Sequence, residues 1–326
     1  MSPAFPKKMR TIADLIRRHD SCLVLTHVSP DGDALGSLLG LALGLERAGL
    51  RTYRACADPA PLIYRFLPGA DRIRSDLPAQ LPALAIAVDS DGPERVGALA
   101  GGLERVRTVI DIDHHATEKA FGDVRWVDPR AAATGEMVHR LLRALEVPPT
   151  PDIATCLYTA ILTDTGRFCY ANTTPRALRV AAELVRAGAN PPHIYREVYE
   201  SKSFSASSLL GLALSRMRQA ADGRVVFSLL SQEDFVRAGS TPDETEGIID
   251  HLRAVRQAQA AALFVELPDG SVRVSMRSQD ATDVSEVALR FGGGGHPNAS
   301  GCTVPGPSEQ AQQRVLQALS EALPRE

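Results

Sequence analysis

Short apolar segments alternate with segments of helical periodicity through residues 1–190. Three of the short segments are rich in aliphatic residues and are followed by polar ones, which is typical of buried parallel strands: Cys22–Thr26, Leu84–Val88 and Thr108–Ile112. Segments with helical spacing lie between and after them: Ala34–Ala48, Gly135–Leu145 and Ile153–Thr163. The alternation predicts an α/β fold with a doubly wound, mostly parallel sheet, in which ligands bind at the carboxyl ends of the strands.

The pattern changes at Gly188–Pro192, where a helix stop is followed by a turn. A helical stretch from about His193 to Gln219 leads into an α+β pattern. Its predicted elements are the strands Arg224–Leu230, Ala261–Leu267 and Val272–Met276, a hairpin turn at Pro268–Gly270 between the last two, and the helices Thr245–Arg256, Val284–Arg290 and Ser308–Leu323. We expect an N-terminal domain over residues 1–190, a helical linker over 191–220 and a smaller C-terminal domain over 221–326.

Composition and charge narrow the class of protein. The 326 residues are 44% hydrophobic and 23% charged, as expected for a globular protein with a substantial core, and the net charge of −3 argues against a partner such as long duplex nucleic acid. The five cysteines show no C-x-x-C pair, which predicts reduced thiols in the cytoplasm. Apolar runs are too short to span a membrane, and the first ten residues lack a signal-peptide core, so no membrane association is expected.

The first candidate chemistry follows the first predicted strand. His27, Asp31 and Asp33 lie within seven residues, with a glycine that permits a tight turn. Carboxylate oxygens and an imidazole nitrogen together suit a divalent ion such as Mn²⁺. An aspartate here could equally cap the next helix, and this loop alone does not decide between the two interpretations.

Further acidic and histidine residues lie at the ends of the other predicted strands and of one helix: Asp89, Asp91, Asp111, Asp113, His114, His115 and Asp164. An acid at the end of a buried strand is costly unless it is paired or binds a cation. The chain contains no phosphate-binding P-loop, no G-x-S-x-G elbow and no H-E-x-x-H helix. Because the dispersed acids meet at one sheet edge, the sequence predicts metal-assisted hydrolysis.

The sequence Asp113-His114-His115, with the earlier H-x-x-x-D-G-D-A around Asp31, resembles the DHH phosphoesterase superfamily. The C-terminal FGGGGHPNASG at Phe291–Gly301 resembles the glycine-rich signature of its DHHA1 substrate domain. The resemblance covers nearly the whole chain, and length and motifs are most similar to the oligoribonucleases (nano-RNases) that also act as phosphatases on 3′-phosphoadenosine 5′-phosphate (pAp).

The resemblance implies two divalent metal ions, with Mn²⁺ expected and Mg²⁺ or Co²⁺ as alternatives. One ion would bind His27, Asp31 and Asp89, and the second would bind Asp33, Asp89, His114 and Asp164. The implied catalytic residues are Asp89 as the bridge, Asp113 as an orienting group, His114 as a ligand and His115 facing the substrate phosphate. Asp91 and Asp111 have no assigned role, and we expect both at the surface.

The same resemblance implies a set of substrate-binding residues in the C-terminal domain, beside His115 of the N-terminal one: Arg277, Ser278, Gly293, Gly294, Gly295 and His296. The guanidinium of Arg277 could hold a phosphate, although a surface arginine is the plainer interpretation. The glycine run could by itself be a flexible loop. Thr134 is expected only to cap a helix, as is the segment Asn172–Pro175.

The expected activity is hydrolysis of short oligonucleotides to 5′-mononucleotides in the 3′–5′ direction, and of pAp to AMP and phosphate, by a homodimer. A cyclic dinucleotide (c-di-AMP or pApA) phosphodiesterase and a non-enzymatic nucleotide-binding sensor remain alternatives. An exonuclease for long strands is disfavoured by the chain's length and charge. A family II pyrophosphatase is disfavoured by the glycine-rich signature.

Overall fold

The structure, a computed structural model, describes residues 7–90, 92–115, 121–279 and 282–324. The chain divides into two compact units, Met1–Ser201 and Lys202–Glu326. No helix within the described ranges is long and apolar enough to cross a membrane.

The N-terminal unit contains a six-stranded sheet in which every described pairing is parallel. Its strands are β1 (Ser21–Leu25), β2 (Arg51–Ala55), β3 (Ile73–Arg74), β4 (Leu84–Val88), β5 (Thr108–Asp113) and β6 (Val124–Val127). The order β3-β2-β1-β4-β5-β6 reverses direction between β1 and β4. The carboxyl ends of these two strands therefore flank the switch point at which open α/β sheets bind ligands, and the predicted α/β class is confirmed.

The helices of this unit surround the sheet: α1 (Lys7–Arg17), α2 (Gly32–Arg47), α3 (Ala100–Leu103), α4 (Thr134–Ala144), α5 (Pro151–Asp164), α6 (Pro175–Arg186) and α7 (Pro191–Tyr195). Helix α2 packs closely along α5. The backbones approach so closely that a side chain at Gly36 would meet the Cys156 carbonyl oxygen at 2.4 Å. Gly32, at the start of α2, lies against Thr163 near the end of α5. The two helices are thus antiparallel, and the acids at the start of α2 and the end of α5 come together.

The C-terminal unit contains a mixed six-stranded sheet of order β11-β12-β10-β9-β8-β7. Its elements are α8 (Phe204–Ser215), β7 (Arg218–Ala220), β8 (Val225–Leu230), α9 (Gln232–Ala238), α10 (Ile248–Arg253), β9 (Ala260–Glu266), β10 (Val272–Ser278), α11 (Val284–Arg290), β11 (Gly294–His296), β12 (Ala299–Val304) and α12 (Ser308–Ala322). The predicted hairpin is confirmed, since β9 and β10 are antiparallel and Gly270 adopts a φ of 82° in the turn. Separate apolar clusters cover the two faces of the sheet.

The helical stretch predicted from His193 to Gln219 is interrupted and ends early. Helix α7 continues only as a wider turn over Arg196–Glu200, and the following residues are not helical. Ser203 then begins a new helix, since its side chain accepts a hydrogen bond from the Ala206 amide at 2.9 Å. The end of the stretch forms strand β7 instead, because it pairs with β8. A local cap and a strand pairing therefore override the helical periodicity.

Candidate metal centre

The loop after β1 presents an imidazole and two carboxylates. Asp31 caps α2 by accepting a hydrogen bond from the Ala34 amide at 3.0 Å, so the capping interpretation is correct. It is not the whole account, because ligand atoms of Asp31, His27 and Asp89 also lie within 4.8 Å of one another. Asp33, two residues after Asp31, is buried in the first turn of α2.

Asp89 lies directly after β4 in a strained backbone conformation, with a φ of 56° that non-glycine residues rarely adopt. Its side chain is buried, and its two oxygens face different partners. Oδ2 lies 3.7 Å from Nε2 of His27, whereas Oδ1 lies 3.6 Å from Nε2 of His114. The carboxylate thus stands between two groups of potential ligands.

The second group surrounds His114, which follows β5. Nε2 of His114 lies 3.6 Å from Asp33 Oδ2, 3.6 Å from Asp89 Oδ1 and 3.7 Å from Asp164 Oδ2. These separations are too long for hydrogen bonds. Metal–ligand distances of ~2.0–2.2 Å place neighbouring donor atoms of one ion about 3.0–3.6 Å apart, close to the separations seen here. Ligand atoms of Asp33, Asp89 and His114 all lie within 4.8 Å of one another, as a shared cation requires.

The carboxylates of this group disfavour one another's ionisation. Burial, followed by the charges of Asp89 and Asp164, raises the pKa of Asp33 well above its usual range. Burial also raises the pKa of Asp164 to about 6. Burial acts in the same direction on Asp89, but the imidazoles of His27, His115 and His114 outweigh it and hold its pKa below the ordinary value. The acids of such a buried cluster ionise together only beside cationic charge, which a bound metal ion would supply.

Asp113 and His115 form a hydrogen-bonded pair beside this cluster. Oδ1 of Asp113 accepts from the His115 backbone amide at 3.0 Å and lies 2.7 Å from Nδ1 of the same ring. Although burial tends to raise the pKa of Asp113, its hydrogen bonds to His115 lower it overall. The buried acid is therefore ionised and fixes the orientation of a partly exposed imidazole.

Thr134 is not a helix cap, contrary to the expectation from its sequence, because Ala133 occupies that position. The Thr134 hydroxyl instead donates to Asp89 Oδ1 at 2.9 Å. The backbone amides of Thr134 and Gly135 donate to the two oxygens of Asp33 at 2.6 and 2.9 Å. The start of α4 thus binds two of the clustered acids, which its sequence alone does not reveal.

Asn172 also has a larger role than the expected helix capping, which falls to Thr174. Its side-chain amide donates to the Asp164 carbonyl oxygen at 3.1 Å and to Asp164 Oδ2 at 3.3 Å. The same amide group donates to the Ala132 carbonyl oxygen at 3.1 Å. Asn172, which lies beyond the end of α5, therefore fixes the side chain of Asp164 at the last position of that helix.

The surface placement expected for Asp111 is wrong. Its side chain is buried, with Oδ2 3.3 Å from Nε of Arg125 and Oδ1 3.5 Å from the Ser90 hydroxyl. Burial, helped by the charge of Asp113, raises the pKa of Asp111 to about 7. Because side chains alternate along a strand, Asp111 lies on the face of β5 opposite to Ile110 and Ile112. That face of β5 is buried as well, so the surface expectation fails. Asp91 lies outside the described residues.

In the C-terminal unit, Arg277 and Ser278 end strand β10. Arg277 is half-buried; its Nη1 donates to the Met276 carbonyl oxygen at 3.0 Å, and its Nε lies 4.0 Å from Asp250 Oδ1. Ser278 is buried, donates to the Pro297 carbonyl oxygen at 3.2 Å and accepts from Asn298 at 3.1 Å. Ser278 therefore holds the turn that follows His296.

The glycine run forms an edge strand rather than a flexible loop. Gly294–His296 pair with β12 in antiparallel register. A side chain at Gly293 would meet the Gly301 carbonyl oxygen at 2.1 Å, and Gly295 adopts a φ of 133°. A Cβ built at Gly294 meets nothing within 4 Å. Gly292 adopts a φ of 75°, so three of the four glycines have structural reasons, while Gly294 leaves its backbone open to close approach.

Comparisons with known proteins agree with this architecture. The family model described as the DHH family, N-terminal domain, matches residues 21–161, and that of the DHHA1 domain matches residues 222–324. A relative from Thermus thermophilus, named bifunctional oligoribonuclease and PAP phosphatase NrnA, is 38% identical over 99% of this chain and 97% of its own. A Bacillus subtilis relative of the same name is 30% identical over 89% of this chain and 91% of its own.

Among solved structures, an exopolyphosphatase-related protein from Bacteroides fragilis superposes with a TM-score of 0.89. It is 25% identical in sequence, and the match covers 98% of both chains. The chain therefore belongs to the DHH phosphoesterase family, in the group of DHH–DHHA1 proteins that includes these NrnA relatives.

Proposed function

We propose that this protein hydrolyses short oligonucleotides to 5′-mononucleotides in the 3′–5′ direction, and pAp to AMP and phosphate, in the cytoplasm. The observation that carries the proposal is Asp89, whose two buried oxygens face separate groups of metal-ligating side chains. The names of the Thermus and Bacillus relatives support this choice of substrates. Both reactions break a bond between phosphorus and a 3′ oxygen, so one geometry can serve them.

The proposed cofactors are two divalent cations, with Mn²⁺ preferred over Mg²⁺ or Co²⁺ because the donor set mixes imidazole and carboxylate. His27, Asp31 and Asp89 would hold one ion, and Asp33, Asp89, His114 and Asp164 would hold the other. When bound, such a pair of ions lowers the pKa of a shared water and neutralises charge on the phosphoryl oxygens.

The remaining residues would act on the substrate. The ring of His115, oriented by Asp113, would donate a hydrogen bond to a phosphoryl oxygen as negative charge develops there. In the C-terminal unit, Arg277 would hold a second phosphate, while Ser278 keeps the turn after His296 in place. The open backbone at Gly294, between Gly293 and Gly295, would let a nucleotide approach closely.

We thus assign metal binding and catalysis to the predicted domain 1–190 and further substrate binding to the predicted domain 221–326, joined through residues 191–220. The family resemblance also leads us to propose a homodimer, which sedimentation of the purified protein tests. Long duplex nucleic acid is not a proposed partner, because a net charge of −3 provides little attraction for an extended phosphate backbone.

The decisive experiment is a substrate panel. Purified protein, stripped of metal and then supplied with Mn²⁺, is assayed on short RNA, short DNA, pAp and c-di-AMP, with products separated by chromatography. We expect mononucleotides from the oligomers and AMP from pAp. Turnover restricted to c-di-AMP would favour the cyclic dinucleotide phosphodiesterase, and tight nucleotide binding without turnover would favour a sensor.

A further inference from the structure

One loop, residues 131–135 up to the first turn of α4, contacts three members of the ligand group around His114 directly and the fourth, Asp164, through Asn172. The Ala131 carbonyl oxygen lies 3.2 Å from Nδ1 of His114. The Ala132 carbonyl oxygen shares the Asn172 amide that also binds Asp164. Further along, Thr134 and Gly135 bind Asp33, and the Thr134 hydroxyl binds Asp89. Three of the four side chains, each from a different element, are therefore held directly by one segment, and Asp164 is held through Asn172.

The loop is itself anchored by a partly buried ion pair outside the candidate metal centre. Glu136 is fully buried, forms a close ion pair with Nε of Arg176 and accepts from the Ala132 amide at 3.3 Å. Arg176 also donates to the Arg130 carbonyl oxygen at 2.8 Å. Because the anchor holds both ends of the turn, the donors that face the acids have fixed positions.

Within this loop, only the hydroxyl of Thr134 reaches the carboxylate that faces both ligand groups. Thr134 is fully buried, so bulk solvent does not compete with its hydroxyl for Asp89. The hydrogen bond of 2.9 Å is made to Oδ1, the oxygen on the His114 side, and leaves Oδ2 towards His27. Without this bond, the carboxylate of Asp89 could rotate and lose the alignment of one oxygen with each group.

We propose that Thr134 is a positioning residue that sets the bridging orientation of Asp89. This inference rests on the two-ion part of the proposed function. It predicts that loss of the hydroxyl weakens the coupling between the two ions before it alters substrate contacts. Outer hydrogen bonds to metal ligands typically change metal affinity by about 10–100-fold, so the effect is measurable.

The test uses the full chain and Mn²⁺ as the probe. Thr134→Val removes the donor at nearly constant volume, Thr134→Ala removes it without placing a methyl group against Asp89, and Thr134→Ser retains it. Thr159→Val is the matched control, because Thr159 is also fully buried and its hydroxyl also makes a hydrogen bond of 2.9 Å, but to the Thr155 carbonyl oxygen. Mn²⁺ affinity is measured by calorimetry, and coupling between two Mn²⁺ ions by electron paramagnetic resonance.

We expect Thr134→Val and Thr134→Ala to bind the weaker Mn²⁺ about 10–100-fold less tightly and to lose the coupled signal, with kcat reduced more than KM is changed. Thr134→Ser should recover the coupled signal, and Thr159→Val should keep it. The role of Thr134 alone would be overturned if Thr134→Val and Thr134→Ala both kept the coupled signal and the wild-type Mn²⁺ affinities. It would also be overturned if Thr159→Val lost the coupled signal and the affinity to the same extent as they do. A wild-type protein without any coupled pair of ions would overturn the two-ion proposal itself.

Discussion

Replacing Asp89 with asparagine should remove nearly all activity on every substrate. Asp89 is the residue whose oxygens face His27 on one side and His114 on the other. Asparagine preserves the size of the side chain, and its carbonyl oxygen can still accept the hydrogen bond from Thr134. The substitution therefore removes negative charge and one ligand oxygen while the fold is retained.

The expected magnitude follows from the two-sided position of this carboxylate. Changing an outer hydrogen bond to a metal ligand already costs about 10–100-fold in affinity or activity, and losing a charged ligand should cost at least as much. Because both ions are affected at once, the combined loss should be on the order of 10²–10⁴, or about 2.7–5.5 kcal/mol.

The assay measures initial rates on a dinucleotide and on pAp across a Mn²⁺ titration, alongside calorimetric Mn²⁺ binding. Asp111→Asn is the matched control, because Asp111 is also a buried acid near a strand end but belongs to neither ligand group. Its pKa of about 7 means that the neutral form is already populated near neutral pH. We expect this control to stay within a few-fold of wild type. If Asp89→Asn matched the control in both rate and Mn²⁺ binding, the bridging assignment would be refuted.

Four further predictions concern the metal, the pH, a substrate-binding residue and the length of the substrate. Chelation with EDTA should abolish hydrolysis and added Mn²⁺ should restore it best, whereas full turnover in metal-stripped buffer would contradict the two-ion proposal. In the metal-free protein, burial raises the pKa of Asp164 to about 6, so the folded state loses stability from this group as the pH rises from ~4 to ~6. Asp164→Asn should therefore be ~2–3 kcal/mol more stable than wild type at pH 7.5 but similarly stable near pH 4, as measured by denaturation in EDTA. If the stabilities of the two proteins changed in parallel with pH, the raised pKa of Asp164 would be contradicted. Arg277→Ala should lower kcat/KM about 10–100-fold through loss of a charged hydrogen bond while leaving Mn²⁺ titration unchanged, with Arg277→Lys intermediate. The same assay should show kcat/KM falling steeply from di- and trinucleotides to strands of about twenty nucleotides, and equal digestion of long strands would favour a processive exonuclease.

The central strands were predictable because burial on both faces leaves a continuous apolar run. Leu84–Val88 is fully buried and has the predicted bounds. Strand β2, in contrast, reads R-T-Y-R-A and was not predicted, since its first three residues are partly or fully exposed and show no apolar run. Strand β6, at the edge of the sheet, has only four residues and was not predicted either. Pairing with neighbours, which periodicity does not encode, makes both of them strands.

The residues predicted as metal ligands were identifiable because parallel strands gather their carboxyl ends at one edge, so His27, Asp89 and His114 had to be close. The residues that orient them were not identifiable in this way. Thr134 and Asn172 act through contacts with acids that are distant in the chain, and their local sequences suggest only helix caps. Asp111 was predicted at the surface because the sequence around a single acid does not show which face of the strand is buried; in the structure its side chain is buried.

The sequence by itself determined the fold class, the family and the types of side chain available for chemistry, because these depend on local periodicity and on short motifs. Only the tertiary structure decided how the acids are held. The close packing of α2 on α5 brings Asp33 to Asp164, and the left-handed backbone of Asp89 directs its two oxygens to different groups. Such hydrogen bonds and orientations depend on distances between residues far apart in the chain, and these distances exist only after the chain has folded.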